Sequence, residues 1–185
     1  MSDYFDYWQF TNEIDNDTCK RIINLGKDNW QKGTIQDEKG FKNNRKADVF
    51  FTDEKWLYDI LFHYLHNAIQ NSDWNFQIDA AESIQLTKYD VNGHQDFHYD
   101  GNGYTRHNTP DNKFIHNKTR KLSMTIILNN DYEGGEFEFF NNKNKIKEKA
   151  GTILVFPSYM VHKVNPITKG TRYSLVAWFV GEPLK

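Results

Sequence analysis

From Trp74 onward the chain changes period. Apolar and polar residues alternate in short runs, cut by Gly134-Gly135, Gly151, Pro157 and Lys169-Gly170. A period of two puts successive side chains on opposite faces of a strand, and the glycines and prolines mark where strands end. This reading predicts strands near 75–79, 82–90, 95–100, 121–129, 136–140, 144–148, 152–157, 160–165 and 172–180. Short strands at such density point to a sandwich or a double-sheet jelly roll.

The first 80 residues read differently. Tyr4 to Ile14 is an aromatic extended arm. Asp15, Asn16 and Asp17 offer N-cap oxygens for a helix over 16–26 that buries Cys19, Ile22, Ile23 and Leu25 and stops near Gly26. Residues 28–44 are polar and read as a loop, and 47–51 as a short strand. A second helix follows Thr52-Asp53, with Leu57, Ile60, Leu61, Tyr64, Leu65, Ala68 and Ile69 at helical spacing. That stripe should pack on the outside of a sheet. His63 and His66 lie off it and read as solvated surface. The expected fold class is therefore α+β, mostly β, in one domain over 1–185, with residues 1–80 as helical support and 81–185 as the β core.

Composition narrows the function. The net charge of −2 gives no reason to expect a nucleic-acid partner. The single cysteine, Cys19, cannot close an intramolecular disulfide, which fits a reducing compartment. The N-terminus has no signal-like apolar run and no stretch has the length of a membrane span, so a cytoplasmic, membrane-free protein is expected.

The chemistry gathers around Phe97-His98-Tyr99-Asp100. In an extended chain residues i and i+2 share a face, so His98 and Asp100 aim an imidazole and a carboxylate at one point. His162 lies in a second strand-like run, Met160-Val161-His162-Lys163-Val164. Two histidines and one carboxylate make the facial triad of non-heme Fe(II) oxygenases. Alternatively, His98 and Asp100 are an ordinary hydrogen-bonded pair, or a register slip makes His94 the ligand. His107 and His116 lie in a polar stretch over 101–119 and read as solvent- or substrate-facing. Arg172 stands ten residues after His162, and its fork suits a carboxylate. If it points inward, strand parity brings Ser174, Val176 and Trp178 with it. Tyr173, Leu175, Ala177 and Phe179 then face outward. By the same rule Gln85, Thr87 and Tyr89 share a face, as do Ser123, Thr125, Ile127 and Asn129.

The order His98-x-Asp100, His162, Arg172, with Tyr89 upstream, Asn129 to Phe137 and Gly151 to Pro157, resembles the Fe(II)/2-oxoglutarate-dependent dioxygenases, and more narrowly their prolyl-4-hydroxylase-like branch. The resemblance runs from about Ser83 to Gly181. It implies a double-stranded β-helix core with the N-terminal helices on one sheet. It further implies that His98, Asp100 and His162 hold Fe(II), and that Arg172 meets the far carboxylate of 2-oxoglutarate with Tyr89 as a second donor. Thr125 and Ser174 join them as cosubstrate-site candidates. The implied reaction couples decarboxylation of 2-oxoglutarate, with O2, to hydroxylation of an aliphatic C–H, giving succinate and CO2. Ascorbate is a candidate reductant. The carboxylate at Asp100 favours hydroxylation over halogenation. Trp178 stands where nucleobase-repair relatives carry a second arginine, which disfavours nucleic acid as substrate. Ile127 stands where some relatives have a tyrosine.

Tyr104, Arg106, His107 and Trp178 are the residues expected to meet the substrate, a prolyl or other peptidyl residue or else a small molecule. Gly101, Gly103 and the polar run after them suggest a lid. Two other functions compete: a non-catalytic jelly-roll module whose metal is structural or absent, and a triad oxygenase acting on a small molecule without 2-oxoglutarate. Oligomeric state is not legible in the sequence.

Overall fold

The computed structural model describes residues 6–33, 45–140, 146 and 148–183. In chain order the elements are β1 (Trp8–Phe10), α1 (Asn16–Leu25), β2 (Gln31–Lys32), β3 (Arg45–Lys46), β4 (Asp48–Thr52), α2 (Lys55–Asn71), β5 (Ala80–Ala81), β6 (Ile84–Tyr89), β7 (His94–His98), β8 (Thr119–Ile127), β9 (Tyr132–Gly134), β10 (Phe137–Phe139), β11 (Ile153–Pro157), β12 (His162–Val164), β13 (Ile167–Gly170) and β14 (Arg172–Gly181). A large sheet runs β1-β11-β8-β14-β6-β4-β2, with β5 also on β14. A smaller sheet runs β10-β12-β7-β3, and β9 pairs with β13 in a separate ribbon. All of these pairings are antiparallel. No helix among the described residues is long and apolar enough to cross a membrane.

Two apolar layers hold the sheets. Leu57, Leu61, Leu65 and Ala68 of α2 and Cys19 and Ile22 of α1 pack on the outer face of the large sheet, against Leu86, Leu122, Met124, Ile126, Leu175, Ala177 and Phe179. Between the sheets, Leu154 and Phe156 of β11 meet Phe137, Phe139 and Val164 of the small sheet. Strand parity works as expected: the odd residues of β14 face the helices, and its even residues face the second sheet. α1 begins where the sequence places it, with Asp15 Oδ1 accepting the Asp17 and Thr18 N–H groups at 2.9 Å each. His63 and His66 are exposed.

Several boundaries differ from expectation. Residues 75–79 are not a strand: Phe76 and Ile78 pack on the helical core, the Gln77 carbonyl lies against Gly181, and Asp79 N–H reaches the Val180 carbonyl of β14. Their alternation comes from packing a connector. The expected strand over 144–148 is absent at 146 and 148, and its other residues lie outside the described ones. The expected loop contains β2 and leads into β3, and residues 34–44 lie outside the described ones. The first 80 residues therefore supply β1–β4 as well as helices. The ribbon β9–β13 was hidden by its glycines, Gly134 and Gly170, both at positive φ.

Gly151 joins the N-terminal arm to the sheet. Its carbonyl accepts the N–H groups of Glu13 (3.0 Å) and Ile14 (3.3 Å), and its own N–H reaches the Ile127 carbonyl at 2.8 Å. Its φ is +81°, and a Cβ there would run into the Ile14 carbonyl. Gly151→Ala therefore combines backbone strain with a clash and is expected to destabilise by roughly 1–3 kcal/mol. The measurement is a thermal melt against wild type, and an unchanged midpoint would refute this account.

Candidate active site

β7 and β12 are antiparallel neighbours, and His98 lies directly opposite His162. Facing residues in such a pair project to the same side, and the imidazole centroids are 4.2 Å apart. Asp100 comes two residues after His98, just past the end of β7, where its N–H bonds the Ser158 carbonyl at 3.0 Å. Its two oxygens divide between the rings: Oδ1 lies 3.7 Å from His98 Nε2 and Oδ2 3.8 Å from His162 Nε2. These spacings are too long for hydrogen bonds. One ligand atom from each residue lies within 4.8 Å of the others.

The far side of each ring fixes its tautomer. His98 Nδ1 is 2.9 Å from the Asp96 carbonyl, and His162 Nδ1 is 2.9 Å from the Met160 carbonyl. A carbonyl only accepts, so each Nδ1 carries a proton and each Nε2 is turned toward Asp100. Burial, with His162 adding to it, pushes His98 down to about 4, so the ring is neutral at pH 7. Burial alone would raise the Asp100 carboxyl, but His162, His98 and Arg120 outweigh it and hold it below its ordinary value. Two converging imidazoles and an ionised carboxylate suit a divalent transition metal. Phe137 stacks on the His162 ring (5.1 Å, 19°) and Phe156 meets it edge-on (4.9 Å). His162 is thus held in an apolar wall.

The triad lines a cavity of about 60 Å³ whose wall also includes Tyr89, Thr125, Arg172, Ser174 and Trp178. Arg172 opens β14 opposite Tyr89 and is fully buried. Its Nη1 donates to Ser174 Oγ at 3.1 Å, and its Nη2 lies 3.3 Å from Glu148 Oε2. Its Nε is buried with no hydrogen-bond partner among the described residues. The Tyr89 and Tyr132 rings flank the guanidinium at 5.8 and 6.0 Å. Burial opposes the charge on Arg172, but Glu148 and the two tyrosines more than restore it. Burial raises Tyr89, which stays a phenol able to donate. A buried guanidinium with a spare N–H beside a phenol and two hydroxyls is a site for a carboxylate.

Beside the triad, Arg120 Nε and Nη2 grip Glu82 at 2.6 and 2.7 Å, and its Nη1 bonds the Asp100 carbonyl at 3.1 Å. The Arg120 guanidinium lies 3.9 Å above the Trp178 ring, whose Nε1 is also buried without a partner among the described residues. Of the four expected substrate contacts, Trp178 lines the cleft and the other three do not. Tyr104 is 63% exposed. Arg106 Nη1 bonds the Asn117 carbonyl at 2.8 Å, and His107 Nε2 lies 3.1 Å from Glu82 Oε1. His107 N–H also bonds the Lys118 carbonyl, and Lys118 ion-pairs with Asp79. The two ends of the 107–118 turn are thus tied to each other and to the main body. His94 is not part of the triad: its Nδ1 lies 2.9 Å from the Asn92 carbonyl.

Sequence reasoning missed Arg45, Glu82, Arg120, Tyr132 and Glu148. Arg120 was hidden by a bulge. The pairing of β14 with β8 shifts between Phe179–Leu122 and Val180–Arg120, so alternation breaks and Arg120 turns to the face of Trp178. Arg45 sits on a two-residue strand with no periodicity to read.

Similarity to known proteins agrees with this geometry. The sequence profile of the 2OG-Fe(II) oxygenase superfamily matches residues 84–180, just over half of the chain. The chain belongs to that superfamily. A PKHD-type hydroxylase of Picosynechococcus sp. is 40% identical over 82 residues, covering 42% of this chain and 36% of that protein. In that match the chain spans about a third of its relative's length. A PKHD-type hydroxylase of Idiomarina loihiensis is 27% identical over 179 residues, covering 92% of this chain and 75% of the relative. The viral collagen prolyl hydroxylase of Paramecium Bursaria Chlorella virus-1, solved as a 2OG complex, superposes with a TM-score of 0.73 at 19% identity, over 97% of this chain and 98% of that one. That likeness establishes the double-stranded β-helix fold for this oxygenase, with α1 and α2 on the large sheet.

Proposed function

We propose that this chain is an Fe(II)- and 2-oxoglutarate-dependent hydroxylase acting on an aliphatic C–H of a prolyl or other peptidyl residue. The observation that carries the proposal is the conjunction, in one cleft, of the three converging ligand atoms and the buried Arg172 with its unpartnered Nε. His98, Asp100 and His162 would hold the iron. When bound, iron and 2-oxoglutarate supply the oxidising chemistry, with O2 as oxidant and succinate and CO2 as products. The chain's own residues bind and orient. Asp96 and Met160 carbonyls keep both imidazoles in the ligating tautomer. Arg172, Tyr89, Ser174 and Thr125 would receive the far carboxylate of 2-oxoglutarate. The apolar wall of Phe137 and Phe156 limits water beside His162. Arg120 anchors the carbonyl of Asp100 and presents Trp178 to the cleft.

A peptidyl substrate is supported by the PKHD-type hydroxylases and the collagen prolyl hydroxylase among the similar proteins. Trp178 and Arg45, which line the cleft, would read it. The test is succinate formation from 2-oxoglutarate with Fe(II) and ascorbate, screened against proline-containing peptides and free amino acids. The expected result is substrate-dependent succinate and a product 16 mass units heavier, one oxygen atom. Absence of succinate across the panel, with iron bound, would refute the proposal. Turnover on free amino acids alone would refute its peptidyl part.

A further inference from the structure

Arg172 carries a carboxylate from its own chain. Glu148 Oε2 lies 3.3 Å from Arg172 Nη2, and Oε1 accepts the Phe137 N–H at 2.5 Å. The two side chains are only 11% and 1% exposed. Glu148 does not line the cleft. It lines a separate depression, together with Tyr132, Ile146 and Lys149. Arg172 thus lines the cleft and also pairs with Glu148, which does not line it.

Resting on the functional reading above, we propose that Glu148 is a counter-ion that weakens the pull of Arg172 on the far carboxylate of 2-oxoglutarate and so sets cosubstrate affinity. The Arg172–Glu148 pair has no net charge. A dicarboxylate entering the cleft meets a guanidinium already half engaged by a second carboxylate. Two carboxylates that share one guanidinium repel each other, and at an effective dielectric near 20 that repulsion corresponds to roughly ten- to a hundred-fold in affinity. Glu148 acts through Arg172 and is not a catalytic residue. The competing role is purely structural: the pair offsets the burial of Arg172, and Oε1 satisfies the Phe137 N–H.

Glu148→Gln removes the charge, while its single amide oxygen can keep the Phe137 N–H; its NH2 then faces Arg172 and no longer accepts from it, so the two roles are told apart by the selectivity between the two ligands below. The experiment is calorimetric titration of the Mn(II)-loaded full chain, which reads binding and not turnover. The two ligands are 2-oxoglutarate and 2-oxopentanoate, which keeps the 2-oxo acid end and lacks the far carboxylate. The expected result is that Glu148→Gln binds 2-oxoglutarate roughly ten- to a hundred-fold tighter than wild type, while 2-oxopentanoate binding is unchanged. Equal or weaker 2-oxoglutarate binding, or a parallel gain for both ligands, overturns the proposal. If Glu148→Gln does not fold, Glu148→Asp draws the charge back by one methylene and should give a smaller gain of the same selectivity. No gain in that variant is equally fatal. Wild-type protein that loads Mn(II) and binds no 2-oxoglutarate overturns the functional reading itself, an outcome distinct from the others.

Discussion

His162→Ala is expected to abolish succinate formation while the protein stays folded. His162 supplies the ligand atom that closes the triad from the β12 side, and its Nε2 is aimed by the bond from Nδ1 to the Met160 carbonyl. Removing even such an outer partner from a metal site costs about 10–100-fold, so losing the ligand itself should exceed that. The fold does not depend on it. The helix-backed core around Leu61, Leu122 and Phe179 is a separate cluster from the one His162 touches. Alanine leaves a hole among Phe137, Phe139 and Phe156, worth about 1–3 kcal/mol. The measurements are bound iron per chain, succinate production and a thermal melt. His63→Ala, on the exposed face of α2, is the control and should change none of them. Wild-type turnover in His162→Ala would remove this residue from the candidate metal centre.

How much of this could be read beforehand depends on which features alternation encodes. The large sheet's long strands were legible because one face is apolar against the helices and the other carries the polar residues of the cleft, which leaves a period-two record. Placing Arg172, Ser174, Val176 and Trp178 on one face of β14 follows from parity alone, and the structure puts all four on the cleft. His98 and Asp100 were legible as a pair for the same reason. The small sheet was harder to read. β3 has two residues, β10 and β12 three each, and β12 carries a register shift between His162 and Val164. Such strands are defined by their partners and leave little periodicity of their own. The bulge that turns Arg120 toward Trp178 breaks the very rule used to place side chains. Glu148 lies outside any strand, so nothing in its neighbourhood announced that it meets a residue 24 positions away. Arg106 and His107 were expected at the substrate because they sit in a long polar segment. Their actual partners, the Asn117 carbonyl and Glu82, are long-range and invisible to local pattern.

Arg172→Ala is expected to raise the Michaelis constant for 2-oxoglutarate by roughly 30- to 700-fold. That range corresponds to about 2–4 kcal/mol for removing one side of a buried charge-assisted pair, at about 1.4 kcal/mol per decade. The triad atoms are untouched, so iron content should hold. Arg172→Lys should recover part of the loss, because the charge remains and the fork does not. The pairing with Glu148 adds a second effect that must be separated from the first. Without Arg172, the carboxylate of Glu148 is left 11% exposed and without its ion partner, which typically costs about 3–5 kcal/mol of stability. The double variant Arg172→Ala/Glu148→Gln removes that unpaired charge. It should regain much of the melting temperature lost by Arg172→Ala and, with the second carboxylate neutralised, part of the cosubstrate affinity. Recovery of both would show Glu148 acting on the fold and on cosubstrate affinity, whereas recovery of the melting temperature alone would leave it a purely structural partner of Arg172. An unchanged Michaelis constant in Arg172→Ala would take this residue out of the cosubstrate site and favour a triad oxygenase that uses no 2-oxo acid.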